Sequence, residues 1–184
     1  KVIVTEINPV KAMEAKMDGY DVMTMNQAAP LGDIFVSATG CLHTITVDHM
    51  MQMKDRVLLA NAGHFNVEID MAGLEEAAVD KKETRANITG YTLPNGRMVN
   101  VLAEGKLVNI AAGNGHPAEI MDLSFAVQTL SALYILEHKG QLPNKVIDVS
   151  EEIDDVIARR RLAAWGVEID ELTAEQKEYL ESWA

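Results

Sequence analysis

The feature that most constrains this chain is a set of short, nearly uninterrupted apolar runs, each ending in a loop of small residues. Ile34-Phe35-Val36-Ser37 leads into Ala38-Thr39-Gly40-Cys41, and Val57-Leu58-Leu59-Ala60-Asn61 leads into Ala62-Gly63-His64. Strands that are apolar at every position are covered on both faces, which is the pattern of a parallel sheet. The β-branched run Lys1-Val2-Ile3-Val4-Thr5 reads as an earlier strand, Asp21 to Met25 as a second and Leu107 to Ala111 as a last one. Helices fall between them. Asn8 is a cap and Pro9 a first-turn proline, Val10, Met13 and Met17 recur at helical spacing, and Gly19 sits at the stop. Asp48 to Met53 reads as a short helix. This alternation predicts an α/β fold built on a doubly wound parallel sheet.

The middle of the chain changes character. Lys81 to Arg85 is charged and is expected to be exposed. Ile88 to Tyr91 and Met98 to Leu102 flank Pro94-Asn95-Gly96, and the Asn-Gly pair predicts a hairpin with a two-residue turn. From Pro117 the pattern is helical. Ile120, Leu123, Val127, Leu130 and Tyr134 form one apolar stripe, and Met121, Phe125, Ala132 and Leu136 form another. A helix apolar on two sides is expected to be buried on two sides, partly in a domain or subunit interface. Two shorter helices follow, one opened by an Asp148/Glu151 capping box with Arg159-Arg160-Arg161 toward its end, the other by Thr173 and Gln176.

Composition excludes several classes. With 48% apolar and 24% charged residues, the 184-residue chain has ordinary globular usage rather than that of a disordered one. Its formal net charge of −12 repels phosphate backbones, so nucleic acid is not an expected partner. The single cysteine, Cys41, excludes an internal disulfide framework and is expected to pack as a small apolar group. No apolar run reaches the length of a membrane span, about 18 residues, and no leader pattern opens the chain, which favours a cytoplasmic protein.

Loops that follow parallel strands form the ligand edge of such a sheet. Three candidates share it: Ser37 to Cys41, Asn61 to His64, and Asn109 with Gly113-Asn114-Gly115-His116-Pro117. Small residues there allow close approach of a planar ligand, and the helix opening at Pro117 offers N–H groups to an anion. Glu6, at the end of a strand and before a capped helix, stands where a dinucleotide-binding unit places the acid that accepts from the adenosine ribose. The glycine-rich loop that accompanies such an acid does not occur between Lys1 and Glu6. Of the five histidines, His64 and His116 alone follow a glycine at the predicted edge. His138 reads as a helix-end partner, and His43 and His49 lack the spacing of a zinc site, so no metal is expected.

At these residues the sequence resembles the S-adenosyl-L-homocysteine hydrolase family. The resemblance is carried by Val4-Thr5-Glu6-Ile7-Asn8-Pro9, Ile34 to Cys41, Asn61-Ala62-Gly63-His64-Phe65, Leu102-Ala103-Glu104-Gly105-Lys106-Leu107-Val108-Asn109 and Gly115-His116-Pro117. It implies a partial Rossmann-like NAD domain over residues 1–116, with an inserted hairpin near 88–102. A C-terminal helical segment, 117–184, would return toward a substrate domain or an oligomer interface. It implies bound NAD, with Glu6, Thr39, Ala62, Gly63, His64, Asn109 and His116 as cofactor contacts. His116, Met121 and Phe125 would face a small-molecule substrate, with His64 bordering it. It further implies a homo-oligomer and a reaction in which the substrate's 3′-hydroxyl is oxidised, homocysteine is eliminated, water adds and the ketone is reduced again.

Three departures from the family pattern stand out. Lys11 occupies a position where many members have Asn, Asn114 replaces a usual Met, and the chain ends at Trp183-Ala184 without a Lys-and-Tyr tail. Asn114 leaves an inosyl substrate open beside the adenosyl one. The start at Lys1 reads as a cut inside the cofactor domain, with the substrate domain and glycine-rich loop upstream of it. On that expectation the 184 residues alone are inactive and do not hold NAD tightly. A stand-alone nucleotide-binding or regulatory module is the competing expectation.

Overall fold

The computed structural model describes residues 1–182, so the Trp183-Ala184 end lies outside the described residues. Two compact units are formed, Lys1–Gly115 and the residues from His116 onward. The first runs β1 (Ile3–Val4), α1 (Pro9–Met17), β2 (Asp21–Val22), α2 (Met25–Ala28), β3 (Ile34–Ser37), α3 (Val47–Gln52), β4 (Val57–Asn61), α4 (Met71–Ala77), β5 (Asp80–Arg85), β6 (Ile88–Thr92), β7 (Met98–Leu102) and α5 (Val108–Ala111). A five-stranded sheet has the order β3-β4-β7-β6-β5, and β1 pairs with β2 in a separate two-stranded sheet. The β1–β2, β3–β4 and β4–β7 ladders are parallel; β6 and β5 extend the far edge antiparallel. The fold is therefore α/β, a partial doubly wound sheet followed by a helical segment.

Caps and core explain most of this. The Asn8 side chain accepts from Val10 N at 2.9 Å and Lys11 N at 3.3 Å, with Pro9 in the first turn of α1. Val57 and Leu59 of β4, Val99 and Val101 of β7, Met50 of α3 with Met53 at its end, and Leu74 of α4 close one core with Tyr91 and Leu93. Each such side chain contributes about 1.5–3 kcal/mol when fully buried.

Several expectations are corrected. The strand from Asp21 stops at Val22, because Thr24 and Gln27 form a capping box that starts α2. Lys81–Arg85 is exposed, as expected, and in addition forms most of β5, an edge strand whose charges discourage pairing with another chain. The hairpin turn has three residues, not two: Leu93 N donates to Arg97 O at 2.8 Å and Gly96 N to Leu93 O at 2.9 Å. Pro94 and Asn95 hold the central positions, and Gly96 takes the left-handed one at φ 81°. Of the strand expected at Leu107–Ala111, only Leu107 pairs, bridging Asn61; the chain then turns into α5 as Ala111 N bonds Leu107 O. The outer side of β3 is uncovered within this unit, where Ile34 and Val36 are each 64% exposed.

The second unit holds α6 (Ala118–Glu137), α7 (Glu151–Trp165) and α8 (Ala174–Glu181). Ile157 is buried, and Arg161 lies 3.6 Å from Asp122 and over the Trp165 ring. No residue of α6 is buried in this unit, so the two-sided burial expected of it is not provided here. At 20 residues, α6 is long and apolar enough by composition to cross a membrane, although no uninterrupted apolar run reaches that length; the core helices of many soluble proteins pass the same test. The Asp148/Glu151 box does not form, since Ser150 precedes α7 and makes no side-chain cap; the Thr173/Gln176 box does. Arg159 pairs within the helix with Asp155 at 2.7 Å, and no basic residue occupies the last turn.

Candidate cofactor site

Because β3, β4 and β7 are parallel neighbours, their following loops emerge on one edge. Ala62 N donates to Ser37 O at 2.7 Å, tying the start of the β4 loop to the end of β3. Asn61 does more. It is fully buried, and its Nδ2 donates to Phe65 O at 2.8 Å and to Gly105 O at 2.9 Å. Its Oδ1 accepts from Gly63 N at 2.7 Å and from Ser37 Oγ at 3.4 Å. One amide thus joins the ends of all three strands with its donors and acceptor all used.

A second buried group holds the outer part of the edge. Glu68 has no exposed surface. Its carboxylate accepts from Thr39 N at 2.9 Å, Thr39 Oγ1 at 2.8 Å and Gly40 N at 2.7 Å. Burial pushes this carboxyl upward, but the donors of Thr39 and Gly40, with the Ser37 hydroxyl, outweigh burial and hold it below the usual carboxylate range. Gly63 is required beside it, since a Cβ there would overlap the Glu68 carboxylate. The Glu68 stretch is itself fixed by pairing, with Ile45 N donating to Glu68 O at 3.0 Å and Asp70 N to Ile45 O at 3.0 Å.

Among the residues expected at the site, Thr39, Ala62, Gly63 and His64 converge on this edge. Gly63 is buried, whereas Ala62 and His64 are exposed, the latter edge-on to Phe65 with ring centroids 4.6 Å apart. Asn109 follows on α5, half-buried, its carbonyl accepting from Gly115 N at 2.9 Å. It is reached through Ala103, Glu104 and Gly105, three consecutive residues at φ 49°, 54° and 75°. Such backbone is strained at the two non-glycine positions and persists only where surrounding contacts fix it; the bond from Asn61 to Gly105 O is one such contact.

Glu6 stands apart from these loops, after β1. Its Oε1 accepts from Ile7 N at 2.7 Å and Asn8 N at 2.8 Å, and those amides, Asn8 first, hold its carboxyl below the ordinary value. Both bonds fall on Oε1, so Oε2 is directed at no donor of the described residues and can accept from a ribose hydroxyl. Lys11 is engaged with Glu14 at 3.0 Å. In the second unit His116 and Phe125 are exposed and Met121 is half-buried. Phe125 lines a cleft between α6 and α7 with Leu130, Ile157 and Arg161.

Three further histidines make local contacts within the fold. His49 completes the capping box of α3 with Thr46, and burial lowers its pKa against the pull of Asp48. His43 lies 3.7 Å from Asp70, and His138 Nδ1 is 2.9 Å from Tyr134 O at the end of α6. Cys41 is exposed rather than packed, because the Thr39–Gly40 turn, held inward by Glu68, carries it outward. Among the described residues no cluster of metal-ligating side chains exists. Glu68 and the joining role of Asn61 were missed from sequence. The available signal was an acid between Val67 and Ile69 in an extended stretch, where a solvated carboxylate is out of place.

A parallel sheet edge with glycine-lined loops and a strand-end acid defines a dinucleotide-binding α/β domain. The comparisons agree. Residues 1–115 match the family model described as "S-adenosyl-L-homocysteine hydrolase, NAD binding domain". An adenosylhomocysteinase of Sulfolobus acidocaldarius is 54% identical over 183 residues, which is 100% of this chain and 44% of the relative. One of Aquifex aeolicus is 56% identical over 182 residues, 99% of this chain and 44% of the relative. One of Thermotoga maritima is 53% identical over 183 residues, 100% of this chain and 45% of the relative. The chain belongs to the S-adenosyl-L-homocysteine hydrolase family, and NAD is the cofactor of its first unit. It spans 44% of the length of the first two relatives.

Proposed function

We propose that this chain is the cofactor-side part of an NAD-dependent hydrolase that reversibly cleaves S-adenosyl-L-homocysteine to adenosine and homocysteine. The observation that carries this is the joined edge of β3, β4 and β7, held by Asn61 and Glu68 within a segment that matches the family's NAD domain. When bound, NAD would supply hydride acceptance from the substrate's 3′-carbinol and return of that hydride at the end of the cycle. Between those events the 3′-ketone acidifies the 4′ C–H, homocysteine leaves and water adds.

The chain's residues bind and orient. Glu6 accepts from the adenosine ribose of the cofactor through its free carboxylate oxygen. Thr39, Ala62, Gly63 and His64 form a close-fitting wall for the nicotinamide side, where absence of a side chain at Gly63 allows the wall to close on Glu68. Asn109 offers an amide at the same edge. In the second unit, His116, Met121 and Phe125 are the substrate contacts that the family resemblance implies, and His116 is also an implied cofactor contact. Excluding water around the transiently oxidised substrate is the task such a wall performs. Homo-oligomeric assembly and a cytoplasmic setting belong to this proposal; the uncovered apolar residues of α6 support the former.

The test is an exchange. The corresponding segment of the Aquifex aeolicus adenosylhomocysteinase is replaced by this chain, and NAD content and S-adenosyl-L-homocysteine hydrolysis are measured. Stoichiometric NAD with turnover is the expected result. A folded exchange protein that retains no NAD refutes the proposal. The 184 residues alone are expected to give no turnover, and hydrolysis by that purified chain would overturn this part.

A further inference from the structure

We propose that Glu68 is a positioning residue for the cofactor wall: its buried carboxylate takes the inward-facing donors of Thr39 and Gly40 and thereby sets the loop after β3 against the loop after β4. The inference rests on the NAD reading above and deepens it, since no resemblance or motif pointed to Glu68.

Four features support it. The carboxylate is fully buried, yet among the described residues it contacts no cation; its hydrogen-bond partners are two successive backbone N–H groups and one hydroxyl. Successive N–H groups around a left-handed residue make a concave anion site, here centred on Gly40 at φ 68°. In this chain an internal carboxylate fills that site, so these amides are not offered to a cofactor phosphate. The same carboxylate abuts Gly63, so its position also limits how closely the Gly63–His64 turn can approach the loop after β3. Thr39 Oγ1 in turn accepts from Cys41 N at 3.1 Å, which extends the clamp to the outer end of the loop. Without the clamp the core under β3 and β4 is intact, but two loops that must act as one surface move independently. Glu6 lies outside the clamp and has no bond to it.

Glutamine at position 68 keeps the shape but turns one acceptor oxygen into a donor group facing the donors of Thr39 and Gly40. The experiment titrates NAD, up to millimolar concentration because the chain alone is expected to hold it only weakly, into the ¹⁵N-labelled 184-residue chain and its Glu68→Gln variant and follows amide shifts. Adenosine, which lacks the nicotinamide, is titrated in parallel. In the unaltered chain NAD is expected to shift Glu6, Thr39 to Cys41 and Ala62 to His64. In Glu68→Gln the shifts at Thr39–Cys41 and Gly63–His64 are lost, those at Glu6 persist, and NAD binds about tenfold more weakly while adenosine binds equally to both. Identical NAD affinity and the same shift pattern in the variant overturn the inference. No NAD-induced shift in the unaltered chain even at millimolar NAD refutes the NAD reading instead, and the two failures are distinct. Should Glu68→Gln not fold, Thr39→Val removes one donor of the clamp and keeps the buried charge; it is expected to give the same selective loss in weaker form. Full retention of the loop shifts in that variant overturns the inference as well.

Discussion

Replacing Asn61 by leucine tests how much of the sheet edge depends on one amide. The side chain has no exposed surface, and its four hydrogen bonds go to Phe65 O, Gly105 O, Gly63 N and Ser37 Oγ. Leucine fills a similar volume, so little cavity forms. What remains are partners without a mate. Phe65 is exposed and its carbonyl can turn to water, and the Ser37 hydroxyl can rotate. Gly63 N and Gly105 O are in buried residues and cannot. Two stranded buried groups at about 1–3 kcal/mol each give a cost of about 2–6 kcal/mol. Loss of the bond to Gly105 also frees the left-handed Ala103–Gly105 turn, which carries Asn109. Urea denaturation reads the cost as a shift in midpoint at unchanged slope, and amide exchange reads the turn, where Lys106 to Asn109 should lose protection first. Of a domain's total stability of about 5–15 kcal/mol this is a large share. A cost below about 1 kcal/mol, with protection at Lys106–Asn109 unaltered, would refute the reasoning that these buried carbonyl and N–H groups depend on Asn61.

Other perturbations separate the parts of the site. Gly63→Ala forces a methyl group onto the Glu68 carboxylate and should cost about 1–3 kcal/mol by denaturation, with NAD-induced shifts at Thr39 abolished. Glu6→Gln keeps an oxygen to accept from Ile7 and Asn8 but loses the charge, so NAD affinity should fall about tenfold with only a small drop in the unfolding midpoint; unchanged affinity would remove Glu6 from the site. The acid limb of stability should show Glu68. Its carboxyl titrates below the ordinary range in the folded chain, so at acid pH the unfolded chain binds more protons. The stabilisation is fully present above the unfolded value and is lost as pH falls through the lowered folded one. In Glu68→Gln that dependence should flatten, and an identical acid-unfolding profile would contradict it.

The parallel strands of the first unit could be read from sequence because their signals are local. Ile34–Ser37 and Val57–Asn61 are apolar throughout and end in small residues, and β3 and β4 have these bounds. Local signals also misled. Asp21–Met25 looked uniformly strand-like until Thr24 closed a capping box on Gln27. Leu107–Ala111 has strand composition, but pairing beyond Leu107 depends on the turn before it, whose left-handed residues are set by bonds from distant Asn61 and Asn87. Lys81–Arg85 has no apolar face; only its register opposite Tyr91 to Ile88 makes it a strand. The site follows the same division. Thr39, Gly63 and His64 could be named because they sit in glycine-marked loops. Glu68 could not, since its partners lie 28 and 29 residues away and no spacing rule links a buried acid to a turn so far back.

The most direct test of the cofactor edge is the amide-shift map of the unaltered chain on addition of NAD. Shifts at Glu6, Thr39 to Cys41, Ala62 to His64 and Asn109, with the antiparallel edge from Asp80 to Thr92 silent, are the predicted result. Shifts confined to the α6–α7 cleft or to the hollow around Lys81, Lys82 and Lys106 would contradict the account.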